Sequence, residues 1–176
     1  MADFSHMFTE VISMTKIPTG VNVKVDGKTL VIKGPKGEVK RHLPMSVKVD
    51  VSSDEVLVKS ENPAMIGTFD ALIRSAIIGV TDGYKLNLKL LHAHFPISLE
   101  VKGSDLTIKN FLGEKQPRRT VLLGSTKVEV KGQNVTISGV DKEAVGQTLA
   151  NLRTAMRIKD KDGRVFQDGI YEVAGE

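Results

Sequence analysis

Five cations, Arg153, Arg157, Lys159, Lys161 and Arg164, fall within twelve residues near the C-terminal end of this chain. A second basic run, Glu-Lys-Gln-Pro-Arg-Arg, holds Lys115, Arg118 and Arg119. A guanidinium is planar and offers its donors in a fixed fork, so it grips phosphate oxygens two at a time, whereas an ammonium acts as a point charge. Such a cluster on a helix and its exit loop suits a sugar-phosphate backbone. The competing reading is a solvated charged face with no partner.

Other candidate chemistry is weaker. Gly27-Lys28-Thr29 resembles the end of a phosphate-binding loop, but that motif needs a glycine where Asn22 stands and a helix after it. Here Val25 and Leu30 flank a hairpin turn instead. His92 and His94 could place two imidazoles on one side of a strand, yet no nearby acidic or cysteine residue completes a ligand set. No Ser-His-Asp grouping and no pair of carboxylates in a pocket is readable, and Asp141 and Glu143 are helix cap and first-turn residues. The reading is therefore no enzyme, no cofactor, no metal and no small-molecule substrate.

The cations need a rigid mount. Asp141 precedes an apolar-periodic run and reads as a helix N-cap. At about 100° per residue, Val145, Leu149, Leu152 and Met156 form one apolar stripe, while Gly146, Ala150, Arg153 and Arg157 form a second beside it. The first stripe packs on a core and the second presents two guanidinium groups. Phe111 and Leu112 sit in the polar loop ahead of Arg118 and read as an anchor that holds Lys115, Arg118 and Arg119 outward. Phe166 and Tyr171 read as residues of a closing strand.

Composition agrees with this picture. The chain has 176 residues, a net charge of +4 and 40% apolar residues, enough for a core and modestly biased toward a polyanion. It has no cysteine, so disulfides and thiolate chemistry are excluded. Residues 1–16 lack the basic start and apolar centre of a signal peptide. Phe4, Met7, Phe8, Val11 and Ile12 instead predict a short amphipathic helix.

Beyond that segment the pattern repeats. Hairpins are predicted over 21–32, 47–58, 97–108 and 128–137, a helix over 62–80 and a closing strand over 84–91. Ile97, Leu99, Val101, Leu106 and Ile108 restate the first hairpin 76 positions later, and Gly67, Ala71, Arg74 and Ala76 fall 79 positions before Gly146, Ala150, Arg153 and Ala155. The fold class is α+β: two tandem duplicated domains, each an antiparallel β-sheet unit with one packed helix. The expected organisation is a helical extension over 1–16, a supporting first repeat over 17–92 and a binding repeat over 93–176. The front helix, with Ile66, Phe69, Leu72, Ile73 and Ile77 around it, is expected to be largely buried.

Three stretches carry a family likeness. Asn110-Phe-Leu-Gly-Glu-Lys-Gln-Pro-Arg118, Ser138-Gly-Val-Asp-Lys-Glu-Ala-Val-Gly-Gln147 and Arg164-Val-Phe-Gln-Asp-Gly-Ile-Tyr171 resemble the universal large-subunit ribosomal protein L-six family, most closely its archaeal branch, whose eukaryotic counterpart is L-nine. Gly79-Val-Thr-Asp-Gly83 and His94-Phe-Pro96 match its linking region. The resemblance implies a structural, non-enzymatic constituent of the cytoplasmic ribosome. It implies binding to large-subunit rRNA mainly through the C-terminal domain, near the sarcin-ricin loop and the translation-factor site, among neighbouring large-subunit proteins and away from any membrane. The RNA-facing role carries onto Lys115, Arg118, Arg119, Arg153, Arg157, Lys159, Lys161 and Arg164. The front helix departs from the family in lacking its basic and His/Asn-rich residues, which argues against an RNA contact there. The alternative reading is a tandem protein-interaction module.

Overall fold

The computed structural model describes residues 11–52, 54–92, 95–159 and 161–173. The chain divides between Asp82 and Gly83 into two compact units.

The first unit contains β1 (Val11–Lys16), β2 (Asn22–Asp26), β3 (Thr29–Gly34), β4 (Gly37–His42), β5 (Val47–Val51), β6 (Glu55–Ser60) and α1 (Pro63–Thr81). Two three-stranded antiparallel sheets, β1-β6-β5 and β2-β3-β4, share the helix. Asn62 caps α1 by accepting from the Ala64 N–H at 3.0 Å, and Pro63 occupies the first turn, where its missing N–H costs nothing. Length and composition would let α1 cross a membrane, but it lies on the sheets, burying Ile66, Phe69, Ile73, Ile77 and Val80. Ala71, Arg74 and Ile78 remain exposed, so the helix is buried along one side rather than most of its circumference.

The second unit contains β7 (Tyr84–Leu91), β8 (Ser98–Lys102), β9 (Asp105–Lys109), a 3₁₀ turn at Phe111–Gly113, β10 (Arg118–Val121), β11 (Lys127–Lys131), β12 (Asn134–Gly139), α2 (Lys142–Ala155) and β13 (Gly169–Glu172). Its sheets are β10-β9-β8 and β11-β12-β7-β13. Leu88, Leu106, Ile108, Val135, Ile137 and Leu152 are almost wholly inaccessible and form its core.

Two boundary expectations are corrected. Residues 11–16 are not helical; they form β1, which pairs antiparallel with β6 from Val11 opposite Ser60 to Lys16 opposite Glu55. The rest of the expected extension, with Phe4, Met7 and Phe8, lies outside the described residues, as do His94 and Asp160. Strand 84–91 does not close the first repeat either. It pairs with β12 and β13 in the second unit, Tyr84 opposite Gly139. Since Gly139 stands 79 positions after Ser60, β7 is the structural counterpart of β1, and each unit opens on a strand that pairs with the second arm of its last hairpin. Alternating Leu86, Leu88 and Leu90 specify a half-buried strand but not which sheet receives it. In β1, a short apolar run is compatible with either period, and pairing decided it.

Candidate nucleic-acid interface

Helix α2 forms as its residues dictate. Asp141 accepts from the Glu143 N–H at 3.0 Å, and Val145, Leu149, Leu152 and Met156 are all buried. Gly146, Ala150, Arg153 and Arg157 are exposed on the neighbouring face. The helix runs beside β10 and covers its free edge: the Asn151 amide donates to the Val121 carbonyl at 3.3 Å, and the Leu123 N–H donates to Thr148 Oγ1 at 3.2 Å.

At the far end of that edge stands Arg118, and its role differs from the expected one. Its guanidinium donates from Nε to Glu114 Oε2 at 2.8 Å, and from one terminal nitrogen to Glu114 Oε1 at 2.5 Å. The other terminal nitrogen donates to the carbonyls of Ala155 at 2.8 Å and Arg157 at 3.0 Å. The first is an orphan acceptor in the last turn of α2 and the second lies just beyond its C-cap, where the helix dipole also favours a cation. The guanidinium carbon lies 4.5 Å from the centre of the Phe111 ring. Phe111 is buried beneath it, as its anchor reading requires. With four hydrogen bonds, a carboxylate partner and a ring beneath it, Arg118 is a structural clamp and not a free phosphate ligand. Glu114 reports the same arrangement. Its carboxyl is held below the usual range, first by the hydrogen bond from Arg118, then by the charges of Arg118 and Lys161, with burial opposing.

The clamp brings the two basic runs together. It ties the 110–117 loop to the exit of α2 through the Ala155 and Arg157 carbonyls. The loop pays for its shape in backbone strain, with Asn110 at φ 59° and Leu112 at φ 51°. Asn110 also donates to the Pro96 carbonyl at 3.0 Å. Gly113, at φ 77°, leaves room for Phe95, whose ring would lie 3.2 Å from an added Cβ.

The remaining cations separate into two groups. Arg157, Lys159, Lys161 and Arg164 are exposed on the exit of α2, and Lys115 is exposed on the facing loop. Lys161 Nζ lies 4.6 Å over the Phe166 ring. Asp162 shapes the turn by accepting from the Arg164 N–H at 2.9 Å. Arg153 pairs with Glu172 Oε1 at 3.3 Å, a half-exposed contact of little strength. Arg153, Phe166 and Tyr171 line an open cleft of about 430 Å³. Among the described residues, no carboxylate forms an ion pair with Lys115, Arg157, Lys159, Lys161 or Arg164. Arg119 is elsewhere. As the next residue after Arg118 on β10 it projects to the opposite face of the sheet, level with Thr107. Strand alternation along β10 thus splits two neighbouring arginines between opposite faces.

Comparison with known proteins matches this chain over residues 17–83 and again over 95–169 to the family model described as Ribosomal protein L6. The chain belongs to the ribosomal protein L6 family. It is similar to the large ribosomal subunit protein uL6 of Methanosarcina mazei, 43% identical over 95% of this chain and 98% of that protein. The uL6 proteins of Methanobrevibacter smithii, 44% identical over 92% and 94%, and Archaeoglobus fulgidus, 43% identical over 91% and 87%, are comparably close. The double match of the L6 model is the duplication itself, and the relatives are archaeal, as the motifs implied. These relatives are proteins of the large ribosomal subunit.

Proposed function

We propose that this L6-family chain is a structural constituent of the large ribosomal subunit of cytoplasmic ribosomes and holds large-subunit rRNA mainly through its second unit. The carrying observation is the patch of Lys115, Arg153, Arg157, Lys159, Lys161 and Arg164. Arg118 is committed to the carbonyls at the exit of α2, and Arg153 is held only by its half-exposed contact to Glu172. The other five cations have no carboxylate partner among the described residues, which leaves them for an outside anion. Contacts of this kind position a protein on RNA without reading bases. The first unit acts as support: Arg74, the cation of α1, is spent on buried Asp70 at 2.7 Å. Placement beside the sarcin-ricin loop, among neighbouring subunit proteins, rests on family membership.

Filter binding of the full chain to transcribed large-subunit rRNA over a salt series tests this reading. Six neutralised phosphates give a log–log slope of roughly −4 to −5. Replacing Arg153 and Arg157 by alanine flattens it by about one to two units. An unchanged slope rejects the patch, and salt-insensitive association with a protein in place of RNA would favour an interaction module.

A further inference from the structure

The face of the β11-β12-β7-β13 sheet turned away from its core carries none of the cations discussed above. Leu88, Leu90, Val135, Ile137 and Ile170 point into the core, so their strand neighbours stand on the other side. There Lys85 and Lys89 project from β7 and Lys127 and Lys131 from β11, all exposed. The registers align them: Lys127 and Lys85 flank Ser138, while Lys131 and Lys89 flank Asn134, and Lys89 pairs with Tyr171 on β13. Two strand spacings by four residue rises put the ammonium stems at the corners of a rectangle of about 10 by 13 Å. Short polar side chains fill the middle, where Thr136 Oγ1 donates to Asn87 Oδ1 at 3.5 Å. Glu129 is the one carboxylate that β7, β11 and β12 place there. Among the described residues none of the four lysines makes an ion pair.

The first unit supplies an internal comparison. On the equivalent face of β1-β6-β5, Glu55 stands where the second unit has Asn134, Leu57 where it has Thr136 and Met14 where it has Asn87. Ser52 takes the place of Lys131, and Lys59 is paired with Asp50 at 2.9 Å. The first unit keeps Lys16 and Lys48 where the second has Lys89 and Lys127, so two corners are shared. Only the second unit carries all four lysines around a polar middle, with exposed Leu91 at the margin of the face.

We propose that the outer sheet face of the second unit is a second RNA-binding surface, where Lys85, Lys89, Lys127 and Lys131 hold the backbone of an RNA segment distinct from the one at the α2 patch. The proposal rests on the RNA-binding reading above and extends it to residues outside that patch. Tyr171 joins the two surfaces: it stands level with Lys89 on the sheet and also lines the cleft with Arg153. Its ring is half exposed and its hydroxyl is anchored to the Gln167 carbonyl at 3.1 Å, which leaves a platform for an unpaired base. RNA suits the face better than an acidic protein does. Protein interfaces have apolar, lysine-poor centres, whereas nucleic-acid interfaces are polar and cationic.

The test compares three full-length variants with wild type by salt-dependent filter binding and hydroxyl-radical footprinting on transcribed large-subunit rRNA. The first changes all four sheet lysines to Gln, the second is Arg153→Ala with Arg157→Ala, and the third changes Lys16 and Lys48 of the first unit to Gln. Circular dichroism confirms that each is folded. The sheet variant is expected to bind about ten- to a hundredfold more weakly, with a slope flatter by about three. It should lose one protected RNA segment and keep the segment lost by the arginine variant, while the first-unit variant behaves as wild type. A sheet variant with wild-type slope and footprint overturns the proposal, even if the arginine variant succeeds. In a parallel reconstitution assay, wild-type RNA binding combined with lost incorporation into large subunits also overturns it, in favour of a protein partner. Failure of the arginine variant alone to alter binding removes the α2 patch and leaves the sheet face standing.

Discussion

Replacing Arg118 measures how much of the second unit's stability runs through one side chain. Its hydrogen bonds to the Ala155 and Arg157 carbonyls contribute about 0.5–1.5 kcal/mol each. The contact over Phe111 adds about 0.5–1 kcal/mol. The Glu114 pair, with side chains 25% and 40% exposed, is discounted to at most about 1 kcal/mol. With allowance for overlap, Arg118→Ala should destabilise the unit by about 2–3 kcal/mol. The assay is unusually clean, because both tyrosines, Tyr84 and Tyr171, lie after Gly83 and the chain has no tryptophan. Urea unfolding followed by tyrosine fluorescence therefore reports the second unit. For a unit of about 90 residues the midpoint should fall by roughly 2 M. Arg118→Lys keeps the charge but not the fork, and should recover about a third of the loss. An unfolding free energy for Arg118→Ala within about 0.5 kcal/mol of wild type would refute the clamp. Full recovery by lysine would show that charge alone matters. Under conditions where Arg118→Ala remains folded, its RNA-binding salt slope should match wild type; a slope flatter by about one would mean that Arg118 reaches phosphate after all.

Further outcomes follow from the same geometry. Glu114 has a folded value below its unfolded one, so its contribution is present above about pH 4.3 and disappears as pH falls through the folded value; the urea midpoints of wild type and Glu114→Gln should differ at pH 7 and draw together as the pH is lowered, and a gap that does not shrink in acid rejects the assignment. Glu172→Gln releases Arg153 and removes a negative charge beside the patch, so RNA affinity should rise about two- to threefold; a fall would show that Arg153 faces away from the RNA. Gly34→Ala sets a Cβ 2.7 Å from Val80 Cγ2 and 2.9 Å from the Val80 carbonyl oxygen, which should destabilise the first unit by about 1–3 kcal/mol. Far-UV circular dichroism should register that loss while the tyrosine-monitored transition stays in place, and movement of both would show that the units unfold together.

Much of the fold was legible because its signals are local. Period-two runs, glycine turns and the two capped helices each depend on neighbours within a few residues, and the duplication doubled every signal. The burial of Val145, Leu149, Leu152 and Met156 beside an exposed Arg153 and Arg157 followed from helical arithmetic alone. β4 and β10 were missed because each directly follows a turn rich in glycine, lysine or proline, which masks the short alternation beyond it. The outer-face lysines were passed over for a related reason: Lys85, Lys89, Lys127 and Lys131 are far apart along the chain and show no cluster until three strands lie side by side.

By itself the sequence determined the class of each element, the repeat, the family and the presence of a cationic C-terminal segment, all of which are properties of residue type and spacing. Only the tertiary structure decided partners. It paired β1 and β7 with sheets that no local pattern names, turned Arg118 inward onto Glu114 and the carbonyls of Ala155 and Arg157, and sent Arg119 to the far face. Hydrogen-bond geometry and packing select among surfaces that the one-dimensional pattern leaves equivalent, and so the fate of a charge is settled by what the fold brings within about 3 Å of it.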